Sequence, residues 1–401
     1  MTRISSVEQF QQGIDSILRQ QERLNESQLQ VSTGKKINRP SDDPAAATQL
    51  LKLSAISANI NQYERNIDSA RNQLELQESV MANITNVLQR VRELVVQANS
   101  AAQSDESRSV IADELRNRID ELLQYSNTKD PDGEYIFSGF NARTAAFVQT
   151  ASGFNFQGDQ GERLLQVSEE TQIAVRTNGA ELFQSMSNGD GRFILVSPNT
   201  NSGDALINMT TSSNATSDDY TLTFTQANPG DPITYQVSGA TSGVVSTGTY
   251  TSGSAISFNG ITLDVSGTPA NADAYQINAS SKQDIFSTVL AIAQVLEAGT
   301  ETSASYSKQA NDLGQALNTI DQAFVHVQSK RTSVGNNLQG LDVRNNENAE
   351  ALLRTQKQIS ELEDLDYAEA VTELNLRSVA LQAAQQSYIK IQGLSLFNFL
   401  R

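Results

Sequence analysis

One apolar series constrains this fold more than any other feature of the sequence. From Leu53 to Ala98, apolar residues recur at alternating spacings of three and four, and only Gln77 interrupts them. Such spacing places all of these residues on one side of an α-helix, which would extend roughly 70 Å. A helix of that length needs another long helix beside it to bury its apolar side.

A second series near the other end of the chain supplies that neighbour. A seven-residue repeat runs from Ala310 to Leu341 and continues, with polar members, to Leu362. Repeats sustained over this length are typical of helices packed lengthwise in a coiled coil or bundle. The unbroken register disfavours separate amphipathic helices in a globule.

Each series has an irregular segment on its terminal side. The first register breaks across Gly34–Pro44 and the second across residues 363–370, and each break leaves a terminal helix of about thirty residues. We therefore expect two terminal helices, one from each end of the chain, packed side by side.

The first break also contains the residues that most resemble a ligand site. Gly34-Lys35-Lys36 lacks the glycine-rich loop and the Ser/Thr partner of a nucleotide-binding loop. Adjacent carboxylates, as at Asp42 and Asp43, point in different directions on most backbones, which disfavours a metal site.

A junction between two helices explains this break better. Gly34 suits the left-handed position after the last turn of the first helix. Ser41 or Asp42 can cap the next helix, and Pro44 fits its first turn.

The middle of the chain has a different composition. Residues 130–283 hold 15 acidic and 5 basic residues, within a chain of net charge −17. Short alternating runs bounded by turn formers predict β-strands, and Asn259-Gly260 predicts a two-residue hairpin turn. The alternating pattern disfavours a disordered segment of low complexity. The runs are DYTLTFTQ, ITYQVSG, GVVSTGTYTSG, AISFNGITLDVSG and DAYQIN.

The predicted fold class is mainly α with an inserted β domain, an α+β multidomain chain. Long antiparallel helices from both termini form a coiled-coil or bundle rod, and a sandwich-like or barrel-like β domain lies between them in sequence. The five predicted segments are a terminal helix (residues 1–40), the first half of the bundle (41–135), the β-rich outer domain (136–283), the second half of the bundle (284–362) and a second terminal helix (363–401).

The composition excludes several kinds of chemistry. The chain has no cysteine and one histidine, so thiolate chemistry and His-based metal clusters are excluded. Asp130 begins a faint calcium-loop pattern that lacks its closing acid, since Asn141 stands there. His326 falls off the apolar side of its helix and is predicted to be a solvated surface residue. We predict no catalytic residue, no cofactor and no metal.

Charge and hydropathy also limit the partners. A net charge of −17 argues against nucleic acid, whose phosphates bind Lys and Arg. No apolar run reaches the length needed to span a membrane, and the N-terminus lacks a signal-peptide core. We therefore expect no nucleic acid, no membrane insertion, and either a cytoplasmic location or export without a cleaved signal.

Three motifs resemble the bacterial flagellin superfamily. QVSTGKKINRPSDDPAAA, residues 30–47, is similar to its N-terminal signature, and the run from Leu365 to Leu400 is similar to its C-terminal end. DGEYIFSGF, residues 132–140, is similar to the family's link into its outer domain. The Pro-Ser-Asp-Asp-Pro form and the Gly-Leu-Ser-Leu-Phe ending resemble the hook-associated members more than the filament subunits.

The resemblance implies a non-catalytic, structural component of the bacterial flagellum. The chain would be exported by the flagellar type III system with a cytoplasmic chaperone, and would lie outside the cell at the hook–filament junction. It would assemble with itself, with hook-associated protein 1 and with flagellin. The alternatives are a flagellin, a surface protein with binding activity in its middle domain, and a cytoplasmic coiled-coil scaffold.

The candidate site residues are packing positions. Those expected to pack the terminal helices in assembly are Val7, Phe10, Ile14, Ile17, Leu24, Val31, Val371, Leu374, Leu381, Tyr388, Ile391, Leu394, Leu396 and Phe397. Those expected at the helix corner and between subunits are Gly34, Lys35, Lys36, Asn38, Arg39, Asp42 and Asp43.

Overall fold

The structure is a computed structural model, and it describes residues 6–399 apart from 152 and 213. For residues 6, 7, 9, 10 and 391–399 only the backbone is described. The chain forms two compact units. One contains the residues up to Arg65 together with those from Val343 onward, and the other contains Asn66–Asp342.

Helices occupy both ends of the chain, as the two apolar series predict. The register breaks coincide with real helix ends, since the first long helix begins at Pro44 and the last helix begins at Tyr367. The helices are α1 (Ser6–Thr33), α2 (Pro44–Ala98), α3 (Asp105–Ser126), α4 (Gly179–Gln184), α5 (Ile285–Glu297), α6 (Ser303–Glu363) and α7 (Tyr367–Phe399).

In the second unit, α2 and α6 are antiparallel neighbours. Three ion pairs join them, Arg71 to Asp342 at 2.7 Å, Arg331 to Glu78 at 2.5 Å and Arg92 to Asp321 at 2.7 Å. The apolar series of both helices lie in one buried core, to which α3 and α5 also contribute. This confirms that the two series pack against each other lengthwise.

Ile56 departs from the predicted side of α2. Its side chain is 47% exposed, while Leu53 and Ser57 are half-buried and Ile60 is buried. The inward positions in this part of the helix are therefore 53, 57 and 60. Spacings of four and three still hold, but they place a serine inward and an isoleucine outward.

The middle of the chain is rich in antiparallel strands, and every predicted strand run contains at least one. The Asn259-Gly260 turn is confirmed, since Phe258 pairs with Ile261 and both turn residues have positive φ. The strands are β1 (Phe147–Thr150), β2 (Gly153–Phe156), β3 (Leu164–Gln166), β4 (Gln172–Ala174), β5 (Met186–Ser187), β6 (Phe193–Val196), β7 (Leu206–Thr211), β8 (Tyr220–Thr225), β9 (Thr234–Gly239), β10 (Gly243–Thr249), β11 (Ala255–Phe258), β12 (Ile261–Ser266), β13 (Ala274–Ala279) and β14 (Lys282–Gln283).

Two sheets share the core of the β domain. One has the strand order β10-β9-β8-β13-β6 and the other the order β11-β12-β7. Alternate residues of each strand point into a common apolar cluster, in which Leu222, Phe224, Ile261, Leu263 and Val265 are fully buried. The shorter pairs β1-β2, β3-β4 and β5-β14 lie outside these sheets.

A polar row on α6 covers the outer strands β6 and β7. Gln315 accepts a hydrogen bond from the amide of Leu195 at 3.3 Å. Asn311 accepts from the amide of Ile207 at 2.8 Å and donates to the carbonyl of Ala205 at 3.0 Å. These side chains satisfy backbone groups that would otherwise lack a strand partner, so the helix itself protects the sheet edges.

Gln77, the interruption in the first apolar series, also serves a strand. Its side chain is fully buried, and it accepts a hydrogen bond from the amide of Thr177 at 2.9 Å and donates one to the carbonyl of Val175. The polar position in α2 therefore anchors the chain that follows β4.

Candidate assembly surface

The corner segment, residues 34–43, connects α1 to α2 and lies beside the residues between α6 and α7. The amide of Lys36 donates to the carbonyl of Glu363 at 2.6 Å, and the amide of Leu365 donates to that of Gly34 at 3.0 Å. Lys35 and Asp364 form an isolated antiparallel β-bridge. Both helix ends are thus joined by main-chain hydrogen bonds, as a β-sheet would join them.

Gly34 lets the chain leave α1 at this point. Its φ of +71° is left-handed, which confirms the predicted helix end. A Cβ atom at this position would lie 2.8 Å from the hydroxyl of Tyr367, the first residue of α7. Any residue larger than glycine would therefore be strained in its backbone and crowded by its neighbour.

The two aspartates of the corner segment have separate structural tasks. Asp43 accepts hydrogen bonds from the amides of Ala45 and Ala46, both at 3.0 Å, so it caps α2. The prediction of Ser41 or Asp42 as the cap was wrong, because Pro44 is the first helical residue and the cap immediately precedes it. Asp42 instead accepts from the amides of Asn38 and Arg39 at 3.1 and 2.8 Å.

The remaining corner residues differ in whether their polar side chains have a partner within the chain. Lys35 forms an ion pair with Glu363 at 2.5 Å. Because the lysine is half-exposed, this pair contributes little to stability. Asn38 donates to the carbonyl of Lys35 at 3.1 Å. The charged ends of Lys36 and Arg39 have no hydrogen-bond or ion-pair partner among the described residues, so they are available to another molecule.

Helices α1 and α7 form an antiparallel pair with a lean seam. In α1 the inward positions follow a seven-residue repeat that includes Gly13, and in α7 they follow a similar repeat that includes Tyr388. Gly13 lies against the ring of Tyr388. Of the predicted packing residues, the half-buried ones are Ile17, Leu24, Val31, Leu374, Leu381 and Tyr388.

Polar groups occupy part of this seam. Ser27 is buried, and its hydroxyl oxygen has no hydrogen-bond partner. Arg377 crosses between the helices, donating to the carbonyl of Arg23 at 2.7 Å and lying 3.7 Å from Glu26. The pair therefore buries less apolar surface than a dedicated two-helix coiled coil, in which each seam position carries an apolar residue.

Large apolar side chains remain exposed on the outer sides of the same pair. Ile14 and Val371, both predicted packing residues, are each 44% exposed and lie outside the α1–α7 seam. The others were not among the predicted packing residues, although their exposure follows from the heptad phase. These are Leu18, Leu29, Leu376, Val379 and Ile389.

Six predicted packing residues fall where the structure gives no side-chain information. Their packing remains a prediction, since their side chains lie outside the described part of the chain. They are Val7, Phe10, Ile391, Leu394, Leu396 and Phe397.

Asp130, the first residue of the faint calcium-loop pattern, has structural partners. Asp130 lies in a turn, where its carboxylate accepts from the amides of Asp132 and Glu134, and Arg176 donates to it at 2.9 Å in a buried ion pair. Arg176 also bonds Glu134, and that bond lowers the pKa of the Glu134 carboxyl. No local pattern predicts this buried network, because Arg176 lies more than forty residues along the chain from Asp130 and Glu134.

His326 was wrongly predicted to be solvated. It is half-buried, and its Nε2 lies 2.8 Å from the carbonyl oxygen of Glu181 in α4. Burial lowers the pKa of the imidazole and favours its neutral form. Helix α4 covers it, an element whose contact with α6 could not be seen in a local pattern.

The described residues contain no group of three or more His, Cys, Asp or Glu side chains placed to hold a metal ion. None of the helices, over the residues described, combines the length and apolarity needed to cross a membrane.

The fold and its terminal helix pair define a class of mainly α-helical proteins with long-helix bundles and an inserted β domain. Two family models match the chain, the bacterial flagellin N-terminal helical region over residues 4–142 and the bacterial flagellin C-terminal helical region over residues 317–400. Together they span more than half of the sequence. The chain belongs to the bacterial flagellin family.

The chain is similar to both hook-associated proteins and flagellins within that family. The flagellar hook-associated protein 3 of Salmonella typhimurium is 32% identical over 185 residues, which is 46% of this chain and 58% of the Salmonella protein. The alignment thus spans little more than half of that relative. The Escherichia coli K12 flagellin is 32% identical over 127 residues, 32% of this chain and 24% of the flagellin.

Solved structures agree with the architecture. The flagellar hook-associated protein-3 of Legionella pneumophila is 30% identical with a TM-score of 0.74, over 77% of this chain and 98% of that one. A flagellar junction protein from the same organism is 30% identical with a TM-score of 0.71, over 79% and 100%. The mainly α fold with an inserted β domain, predicted from the sequence, is confirmed.

Proposed function

We propose that this chain is a non-catalytic, self-assembling subunit of the hook–filament junction of the bacterial flagellum. The carrying observation is its similarity to the Legionella junction protein over that chain's whole length. The Salmonella hook-associated protein 3 is 32% identical over 185 residues, whereas two flagellins that are matched over 210 and 228 residues are 24% and 25% identical. This difference supports the junction role over the filament role.

The terminal helix pair supports a role in assembly. Its seam includes Gly13 and Ser27, while Leu376 and Val379 are 65% and 62% exposed on its outer side. Large apolar side chains left in water favour burial against another molecule. We propose that the predicted packing residues of both terminal helices, including those not described, are covered when copies assemble.

The partners and route follow from the same proposal. The subunit would contact further copies of itself, hook-associated protein 1 on the hook side and flagellin on the filament side. A cytoplasmic chaperone would hold it before export through the flagellar type III system, without a cleaved signal. The assembled protein would lie outside the cell, and the predicted outer domain, residues 136–283, would be dispensable for joining hook to filament.

Electron microscopy with a labelled antibody tests the location. One band at the hook end of each filament is expected, whereas label along the whole filament would identify a flagellin and overturn the junction role.

A strain lacking the gene tests the task. It should still build hooks, yet release flagellin into the medium, because the filament would have no junction protein to attach to. Normal filaments in that strain would contradict the proposal. Re-expression of the chain should restore filaments, and re-expression with residues 142–280 replaced by a short linker should restore them as well.

A further inference from the structure

A small pocket lies between strand β6 and helices α5 and α6, all of which belong to the second unit. Its volume is about 190 Å³, and most of the side chains that line it are apolar. An engineered apolar cavity of about 150 Å³ binds benzene, so this pocket has room for one aromatic ring. Its apolar lining residues are Ile194, Leu195, Val196, Ala291, Ile292, Val295, Leu313 and Ala316.

Four polar side chains of the lining have partners within the chain. The hydroxyls of Thr288 and Thr319 donate to backbone carbonyls at 2.8 and 2.9 Å, and Gln315 accepts from the backbone of β6. Asp312, the one charged residue of the lining, forms an ion pair with Lys308 at 2.5 Å. The pocket therefore offers no unpaired charge, and it favours an uncharged apolar group over an ion.

Phe140 provides an aromatic ring on the surface of the same unit. Its side chain is 68% exposed, and it is the one exposed phenylalanine among those whose side chains the structure describes. The ring lies against Gly161, where an added Cβ atom would clash with it. It is not among the residues that line the pocket, so it does not fill the pocket of its own copy.

Hydrogen bonds fix the loop that carries this ring. Asp159 accepts from the amides of Phe140 and Gly161, both at 2.8 Å. Gly139 has a left-handed φ of +67° and lies so close to Asp159 that a Cβ atom there would clash with it. An aromatic side chain on a fixed loop needs little further ordering on binding, and such side chains commonly anchor protein interfaces.

We propose that Phe140 of one copy inserts its ring into this pocket of a neighbouring copy. The inference rests on the proposed self-assembly and locates a contact in the second unit, outside the terminal helices. The volume of the pocket and its lack of unpaired charge select a single apolar ring. Phe140 is such a ring, and it is exposed to water on the same chain.

Ring and pocket are two different surfaces of the protein. Each copy can therefore receive one ring in its pocket while its own Phe140 enters the pocket of the next copy. A heterologous contact of this kind repeats around a ring of subunits or along a helix, and it does not stop at a dimer.

Photo-crosslinking in assembled flagella tests the contact. Phe140→p-benzoylphenylalanine keeps an aromatic ring at this position and, on irradiation, bonds to C–H groups beside it. A product of twice the chain's mass is expected, in which mass spectrometry joins position 140 to β6, α5 or α6. The matched control carries the same photoreactive residue at Val244, which is 59% exposed in the β domain and should not link to these elements.

The experiment separates the two proposals. Absence of the unmodified chain from the hook end of the filament would refute the proposed function itself. If the modified copy is present there, the lack of a dimer, a link to a different protein, or an equal link from position 244 would refute the Phe140 contact and leave the junction role standing.

Two substitutions decide the matter if the photoreactive copy fails to incorporate. Phe140→Ala removes the ring, and Ala291→Phe, at an exposed lining position of α5, places a ring of the same copy over the pocket. In strains that make only one variant, each should reduce the fraction of hooks that carry the protein about ten-fold, because a phenylalanine is no longer buried at any contact. Val110→Ala, which removes a 65% exposed side chain from α3, should have no such effect.

Co-expression of the two variants distinguishes a lost contact from a damaged fold. The Ala291→Phe copy still presents Phe140, and the Phe140→Ala copy still has an open pocket. Alternating copies would therefore re-form half of the contacts, and incorporation should partly recover. A mixture as poor as either variant alone, or full incorporation of Phe140→Ala alone, would overturn the proposal.

Discussion

Replacing Gly34 by alanine should loosen the connection between the corner segment and the start of α7. The left-handed φ of +71° costs a residue with a Cβ about 1–2 kcal/mol. The new Cβ would also meet the hydroxyl of Tyr367 at 2.8 Å, but that side chain is 56% exposed and can rotate away. Backbone strain should therefore dominate the loss.

Native-state hydrogen exchange measures this loss where it occurs. The amides of Lys36 and Leu365 donate across the connection, so their protection reports its opening. A loss of 1–2 kcal/mol corresponds to roughly 5- to 30-fold faster exchange at these two amides. The amide of Leu222, in the β domain, should keep its protection.

Two further variants separate backbone strain from crowding. Gly133→Ala has a φ of +81° with no atom near the new Cβ, so it should show the backbone cost alone. Gly34→Ala with Tyr367→Phe removes the hydroxyl and leaves the ring carbon at 3.7 Å, an ordinary contact. Full recovery in that double variant, or unchanged exchange in Gly34→Ala, would refute the assignment to backbone strain.

Three other predictions concern the second unit, and denaturant unfolding measures each. Arg176→Met should cost about 3–5 kcal/mol, because it leaves the buried carboxylate of Asp130 unpaired. The hydrogen bond from Arg176 to Glu134 lowers the pKa of the Glu134 carboxyl, so the stability it contributes is present above the ordinary value of 4.5 and is lost as pH falls toward the lowered pKa. Arg176→Met should therefore flatten the dependence of stability on pH in this range, and an unchanged slope would exclude the Arg176–Glu134 pair as its source. Asn311→Ala should cost about 1–3 kcal/mol, because it leaves the amide of Ile207 and the carbonyl of Ala205 without a hydrogen-bond partner. Asn336→Ala, at an exposed position of the same helix and in the same unit, should be near neutral, and equal effects would contradict the edge-covering role. Gly314→Ala should stabilise the protein by about 0.5–1 kcal/mol, since the position is helical with open space around it, and a destabilised variant would show that α6 needs flexibility there.

Local sequence patterns located most helix and strand boundaries. The breaks at Gly34–Pro44 and beyond Leu362 coincide with helix ends, and Asn259-Gly260 forms the expected turn. Each of these depends on a residue's own backbone preference or on spacing along one helix. Both are properties of a short segment, so the sequence expresses them directly.

The polar residues that hold distant segments together were not predictable in this way. In the sequence, Gln77 only interrupts an apolar series, yet in the structure its side chain donates a hydrogen bond to the carbonyl of Val175. Asn311 and Gln315 gave no signal on α6, although they complete the edges of two strands. Their partners lie about a hundred residues away in sequence, and nothing in a local window indicates which backbone groups will be left unpaired.

The same distinction between local pattern and tertiary structure applies to the candidate assembly surface. The sequence alone determined that two terminal helices exist and where they end. Only the tertiary structure decided which side of each helix faces its neighbour in the same copy, and therefore that Leu18, Leu29, Leu376 and Val379 are left outward. The reason is that a heptad fixes the spacing of a seam but not its phase relative to a partner, and the phase is set by how two whole helices fit together.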